Sequence, residues 1–437
     1  MSQAIPTVAP EPAATDSGKT SISSVLLRSL QSYVMIFALL LIVIVFWVWS
    51  KGTFVSPLNL TNLINQTATV GVMAAGMTMV IIIRHIDLSV GYMSGFMGAM
   101  AAILMMSYNI PSPLVIIFVM LFGGAIGLGV GLLIGKVGIP AFVITLGMMI
   151  VGHGVELLAT RKNGTIIITN NFFNALSNGF IPANLWPGGP SRIMGMCLTT
   201  VVLGIIGLLV FIVMQVKGQI REQRRHFDVT PLPLFIVRVV FVVVVAGFMI
   251  LKLAQNNGIS WALVILGIVT GVFAVVQTRT PFGRHVYGVG GNPEAAELSG
   301  VSVVRVTVIV FIIMGVLMSL GGLLTASRMK AAYPTAGTGL ELLVIAGCFI
   351  GGCSPAGGVG KVVGSLVGAL IMQALVNGML LMQVDASMQY VIQGIILVVA
   401  VIFDVISRRV GVVPGAVPSR AVGETTATAA APVVAAV

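Results

Sequence analysis

Charge in this chain is confined to short breaks between long apolar runs, and that pattern decides its solvent. Mostly apolar stretches recur at 33–50, 64–83, 87–107, 113–135, 140–159, 193–215, 233–253 and 259–277, then at 304–326, 340–352, 358–382 and 388–406. A helix needs about 20 such residues to cross a hydrocarbon core about 30 Å thick. Only 8% of the 437 residues are charged and 57% are hydrophobic, against roughly 25% charged in soluble domains. Lipid is therefore the solvent, and a backbone in lipid must satisfy its polar groups internally. The expected fold class is an all-α polytopic membrane protein of about 12 transmembrane segments. The tenth run is too short to cross alone and is expected to be a half-helix buried among its neighbours.

The basic residues orient this map. With the N-terminus in the cytoplasm and the spans alternating, sixteen of the 23 Lys and Arg fall inside and seven outside, the direction of the positive-inside bias. Both termini are thus expected to be cytoplasmic. The net charge of +11 is scattered between apolar runs, which suits anionic membrane lipid and gives no surface for nucleic acid. Residues 1–30, rich at their start in Ala, Pro, Ser and Thr, read as a disordered cytoplasmic N-terminus, 31–410 as the transmembrane domain, and 411–437, which lack a periodic face, as a disordered tail. The first apolar run has no small-residue cleavage site after it and reads as a signal anchor. Cys348 and Cys353 have no further Cys or His beside them, so no metal site is expected.

Among the 52 glycines, Gly123, Gly127, Gly131 and Gly135 stand at four-residue spacing along the fourth run. Between helices in lipid, small residues supply the packing by letting backbones approach. A tight bundle is expected there.

The break at 279–305, "RTPFGRHVYGVGGNPEAAELSGVSVVR", is long for a bundle connection. Asn292 suits an N-cap, Pro293 the first helical position and Glu294 the first turn. Ala295, Ala296, Glu297 and Leu298 follow, and Gly300 fits the terminating position. One short capped helix, flanked by Arg284, is expected on the cytoplasmic side. It reads either as an interfacial helix lying on headgroups or as a handle for a cytoplasmic motor. The chain contains no GxxxxGK[ST] loop, so it cannot cradle nucleotide phosphates itself. No nucleophile–base constellation is present either, so the chain is not expected to be an enzyme.

The strings "IDLSVG" (86–91), "GIPAFVITLG" (138–147), "FGRHVYGVGGNPEAAELSGV" (282–301), "PTAGTGLELLVIAGCFIGGCSPAGGVG" (334–360) and "VNGM" (376–379), in that order, resemble the permeases of binding-protein-dependent monosaccharide importers, the ribose, xylose, arabinose and galactose group. The resemblance covers about residues 30–410. It implies a type II ABC-importer-like bundle in the bacterial inner membrane, a second permease copy as homodimer partner, a cytoplasmic ATPase with tandem nucleotide-binding domains and a periplasmic sugar-binding protein. ATP and Mg would then be used by the partner, with no cofactor bound by this chain. The simplest members have about ten spans; here a pair at about 193–253 is inserted into that core, a layout similar to the xylose-type permeases. Xylose or a related aldose is the implied cargo. The segment "GGNPEAAELSG" looks like the family's coupling segment, which seats in a cleft of the ATPase; "CSPAGG" departs from the Thr-Ser-Leu-Ala of many relatives.

Uncharged polar residues on apolar spans suit a neutral sugar that must be released again. Asn65, Gln66, Thr69, Thr145, Gln373, Asn377 and Gln393 are pathway candidates, with Asp87 and Ser89 at the start of the third run; hydrogen bonds between helices are the alternative for each. Asp87 is expected to pair with Arg84. His153 and Glu156 share a helix face. The outside loop 160–192 shows no obvious structure, and its Phe172, Phe173 and Trp186, with Glu341, are candidates for meeting the binding protein. An ion-coupled carrier working without an ATPase is the competing function; it wants a buried acid near mid-membrane, and the acids here stand near span ends.

Overall fold

The computed structural model describes residues 22–161, 164–184, 191–224 and 232–409. Trp186 and the tails 1–21 and 410–437 lie outside the described residues. In chain order the helices are α1 (Ile22–Trp49), α2 (Pro57–Ile82), α3 (Val90–Met106), α4 (Ser112–Gly135), α5 (Ala141–Thr160), α6 (Asn171–Asn178), α7 (Leu198–Arg224), α8 (Leu232–Gln255), α9 (Trp261–Arg279), α10 (Pro281–Gly291), α11 (Pro293–Leu298), α12 (Val303–Met329), α13 (Leu340–Ile350), α14 (Val362–Leu381) and α15 (Ala386–Arg409). Every expected span corresponds to a helix. Among the described residues, eight helices are long and apolar enough to cross a membrane, and α1, α3, α13 and α15 contribute shorter apolar stretches. α1 starts at Ile22, so residues 22–30 are helical rather than part of a disordered tail.

α2 forms the axis of the bundle and is buried along nearly its whole length. Ser56 caps it by accepting from the Asn59 amide, with Pro57 pre-set for the first turn. Around it stand α9, α12, α13 and α14. The interior between them is rich in methionine, with Met73, Met77, Met97 and Met314 all fully buried; their flexible thioethers fill irregular gaps between helices. The outward faces are apolar too: Phe118, Leu121, Phe142, Ile150, Leu209 and Val244 are exposed. Apolar residues both inside and outside are what a lipid solvent requires.

The glycine ladder of α4 lies along α12. A Cβ at Gly127 would collide with the Phe311 carbonyl oxygen, and one at Gly131 would stand 2.9 Å from the Val308 Cα. Only hydrogen at these positions lets the two backbones touch. The inserted pair, α7 and α8, packs on itself at Gly204 and Ile250 and leaves most of its surface outward.

α12 has 27 residues and is therefore about 40 Å long at 1.5 Å per residue. It runs from α11 to α6, which places those two short helices at opposite ends of the bundle. The loop expected to lack structure at 160–192 is instead built. Its β1 (Ile166–Ile167) pairs antiparallel with β4 (Ala331–Ala332), and its other end forms a small hairpin of β2 (Arg192–Ile193) and β3 (Met196–Cys197). α6 between them is capped by Asn170 and bonded to the end of α12. The Ser177 hydroxyl donates to the Leu324 carbonyl at 2.8 Å, and Asn178 Nδ2 to the Ser327 carbonyl at 2.6 Å.

Candidate functional site: a helix pair at one end, a polar cavity towards the other

At the α11 end the expected short helix is present, with the expected cap. Asn292 Oδ1 accepts from the Ala295 amide at 3.1 Å, Pro293 and Glu294 stand in the first turn, and Gly300 closes the unit in the left-handed region at φ +82°. Ala296 is buried, whereas Glu294, Ala295, Glu297 and Gly300 are exposed and Leu298 is 92% exposed. This six-residue helix projects from the bundle with an apolar side chain outward.

A second helix precedes it, which the sequence reading missed. α10 is capped by Thr280, whose hydroxyl accepts from the Gly283 amide at 3.1 Å, and Pro281 occupies its first turn. Gly283, Val286, Val289 and Gly290 face the bundle, while Arg284 and His285 are exposed. α10 is fastened at three points. Tyr287 donates its hydroxyl hydrogen to the Gly360 carbonyl at 2.6 Å; burial pushes its phenol above the ordinary tyrosine value, so it stays a donor. Arg84, just past α2, donates through Nε to the Gly290 carbonyl at 2.7 Å and through a terminal nitrogen to that of Gly291. Gly290 itself lies so close to the Ile82 carbonyl oxygen that a Cβ there would collide.

Gly360 belongs to the turn between α13 and α14. The same carbonyl accepts from Gln277 Nε2 at 3.2 Å, and Gln277 Oε1 receives the Val362 amide at 3.0 Å. The Gly358 amide donates to the Ile82 carbonyl at 2.8 Å. The helix pair, the end of α2 and the α13–α14 turn thus form one hydrogen-bonded knot. Arg84 is committed to it and is not the partner of Asp87. Asp87 instead accepts from the Ser89 amide at 2.9 Å and the Ser89 hydroxyl at 2.6 Å, a local turn ahead of α3.

Towards the α6 end, a cavity of about 460 Å³ opens between α2, α12, α14, α15 and the segment leading into α13. Of the pathway candidates, Gln66, Thr69 and Gln373 line it. Asn377 stands behind Gln66, donating to its Oε1 at 3.4 Å while accepting from Asn59 at 2.8 Å. Gln393 lines a smaller neighbouring hollow with Thr338 and Tyr390. The remaining candidates are taken up elsewhere. Asn65 donates to the Ser177 carbonyl at 3.0 Å and accepts from Ser260 at 2.6 Å, joining α2 to α6 and α9. Thr145 donates to the Ile86 carbonyl at 3.2 Å. Among the cavity residues that the sequence does not single out are Arg328, Tyr333 and Tyr390. In the sequence Arg328 is one of the seven basic residues placed outside.

Of the candidates for an outward contact, Phe172 is 58% exposed but Phe173 is fully buried, so only the first is presented at the surface. Glu341 starts α13 with one carboxylate oxygen buried and unpartnered, against Gly91 of α3. Glu156 is fully buried and accepts from the Gly337 amide at 3.1 Å; His153 stacks edge-on against Tyr92 instead, at 4.6 Å. These two acids are inside the bundle rather than at its ends. With 11 residues, α13 spans only about 16 Å, as a half-helix should, so Glu341 at its start is carried to about mid-bundle.

The family described as "Branched-chain amino acid transport system / permease component" matches residues 59–401. The xylose transport system permease protein XylH of Escherichia coli (strain K12) is 35% identical over 381 residues, covering 87% of this chain and 93% of that protein. Its namesake in Haemophilus influenzae is 34% identical, over 87% of this chain and 98% of its own length. The ribose import permease protein RbsC of Escherichia coli (strain K12) is 31% identical, over 79% and 85%. No solved structure matches. Family match, relatives and apolar helical bundle agree: the chain belongs to this family of transport-system permeases, and is a membrane transport subunit rather than an enzyme.

Proposed function

We propose that this chain is the permease of an ATP-binding cassette importer that passes a monosaccharide, xylose or a related aldose, from a periplasmic binding protein into the cytoplasm. The observation that carries the reading is the α10–α11 pair. Its outer face is free, with Leu298 92% exposed, and its inner face is bonded to α2 and to the α13–α14 turn. An ATPase pulling on α11 would therefore move groups deep in the bundle. The names of the relatives favour a pentose, and the inserted α7–α8 pair favours the xylose-type layout. On this reading both termini and α11 are cytoplasmic, the binding protein meets the α6 end, two copies of the chain pair, and ATP with Mg is used by a tandem-domain subunit.

Gentle purification from the native membrane tests this. A co-purifying ATPase with two nucleotide-binding domains is expected; repeated recovery of the permease alone would count against it. An ion-coupled carrier is the second reading, favoured by the buried, unpartnered carboxylate oxygens of Glu156 and Glu341. Its signature would be uptake that collapses with the proton or sodium gradient.

A further inference from the structure

Two residues on the wall of the same cavity each keep a buried polar atom without a partner. Thr69 is 3% exposed, and its Oγ1 has no hydrogen bond among the described residues; the same holds for Nε of Arg328. Both residues line the cavity of about 460 Å³. Buried polar groups are nearly always paired, and leaving one unpaired is costly, so two residues of one cavity wall that each keep an orphaned atom mark a place where something else can supply the partner. The rest of the wall describes that something. Gln66 and Gln373 add amides that can both donate and accept. Tyr333 and Tyr390 add rings, and Leu340, Val376 and Leu380 add apolar surface. Among the described residues no carboxylate lines the cavity, and Arg328 is its one formal charge. The volume lies at the small end of the roughly 300–1,000 Å³ typical of small-molecule sites.

We infer that this cavity is a transient sugar subsite inside the permease, in which hydroxyl groups of one neutral monosaccharide ring satisfy Thr69 and Arg328. The sugar's C–H faces lie against the tyrosine rings and its remaining hydroxyls meet Gln66 and Gln373. Without a carboxylate to accept strong hydrogen bonds the site holds its ligand weakly, as a stage of passage must. Arg328 also sets a charge rule: a protonated amino sugar is repelled, while a neutral sugar is accepted. The ligand class rests on the importer reading, but the site itself is a property of this chain.

The experiment uses the purified full chain without its binding protein, with D-xylose as the probe and ligand-observed NMR as the readout. Weak saturable binding is expected, with a dissociation constant on the order of millimolar, and cationic D-glucosamine should fail to compete. Thr69→Val, nearly the same shape, should weaken binding at least tenfold, Thr69→Ser should restore it, and Arg328→Met should lose the discrimination against D-glucosamine. Absence of saturable binding to the unmodified chain, or equal binding by the Thr69→Val and Arg328→Met variants, overturns the subsite. The same preparations are then assayed for ATP-driven uptake with ATPase and binding protein. Uptake that never needs ATP while Thr69-dependent binding persists would sink the importer reading alone; ATP-driven uptake at an unchanged rate in both variants would sink the subsite alone.

Discussion

The hydroxyl of Tyr287 and the carbonyl oxygen of Gly360, far apart in sequence, meet at 2.6 Å. That bond joins the exposed helix pair to the turn from which the half-helix α13 and the helix α14 diverge. Since α13 and α14 both reach the cavity through Leu343 and Gln373, a displacement of α10 has a short route of bonded groups to the cavity wall.

Removing the bond should therefore uncouple rather than unfold. Tyr287→Phe keeps the ring and loses a hydrogen bond worth about 1 kcal/mol. In reconstituted vesicles we expect normal assembly with the ATPase but fewer sugars imported per ATP hydrolysed. An unchanged ratio would show that the bond transmits nothing.

Two glycines of α10 give a contrast. A Cβ at Gly290 meets the Ile82 carbonyl oxygen, whereas one at Gly288 meets nothing. Gly290→Ala should push α10 off the bundle and abolish uptake. Gly288→Ala should be silent, or stabilise the helix by up to about 1 kcal/mol. Uptake normalised to membrane expression distinguishes them.

The exposed face of α11 should matter to a partner and not to the fold. Surface changes away from packed features alter stability by about 0.5 kcal/mol or less. Glu294→Lys and Leu298→Asp are expected to leave the chain in the membrane with unchanged thermal stability in detergent, while the ATPase no longer co-purifies. Retention of the ATPase by both variants would return α11 to the role of an interfacial helix.

The contact of α4 with α12 predicts its own pair. Gly127→Val forces side-chain atoms into the Phe311 backbone and should cost about 1–3 kcal/mol or more. Gly129, with nothing near its absent Cβ, should accept Ala at no cost. Thermal melts of the purified chain report both.

The spans were legible because lipid demands long apolar runs, and the cap at Asn292 because its chemistry is local to four residues. α10 escaped notice although Thr280 and Pro281 announce its start. Four glycines in eleven residues hide its helical period, and only Gly283, Val286, Val289 and Gly290 turned inward reveal it. The pairing of Arg84 with Asp87 followed sequence proximity, whereas the real partners of Arg84 lie on α10. Glu341 was placed near a span end because a short run gives no depth. Phe172 and Phe173 read alike in the sequence, and only the docking of α6 on α12 separates the buried ring from the exposed one. Arg328 counts in the sequence only as an outside basic residue, because nothing local shows that the end of α12 walls a cavity.

On the proposed reading, ATP hydrolysed on another subunit drives this permease. The most direct measurement is D-xylose uptake into vesicles holding this chain, its ATPase and its binding protein, with the proton and sodium gradients collapsed by ionophores. Uptake is expected to continue with ATP and to stop without it. Uptake by the chain alone, driven by an ion gradient and indifferent to ATP, would contradict that reading.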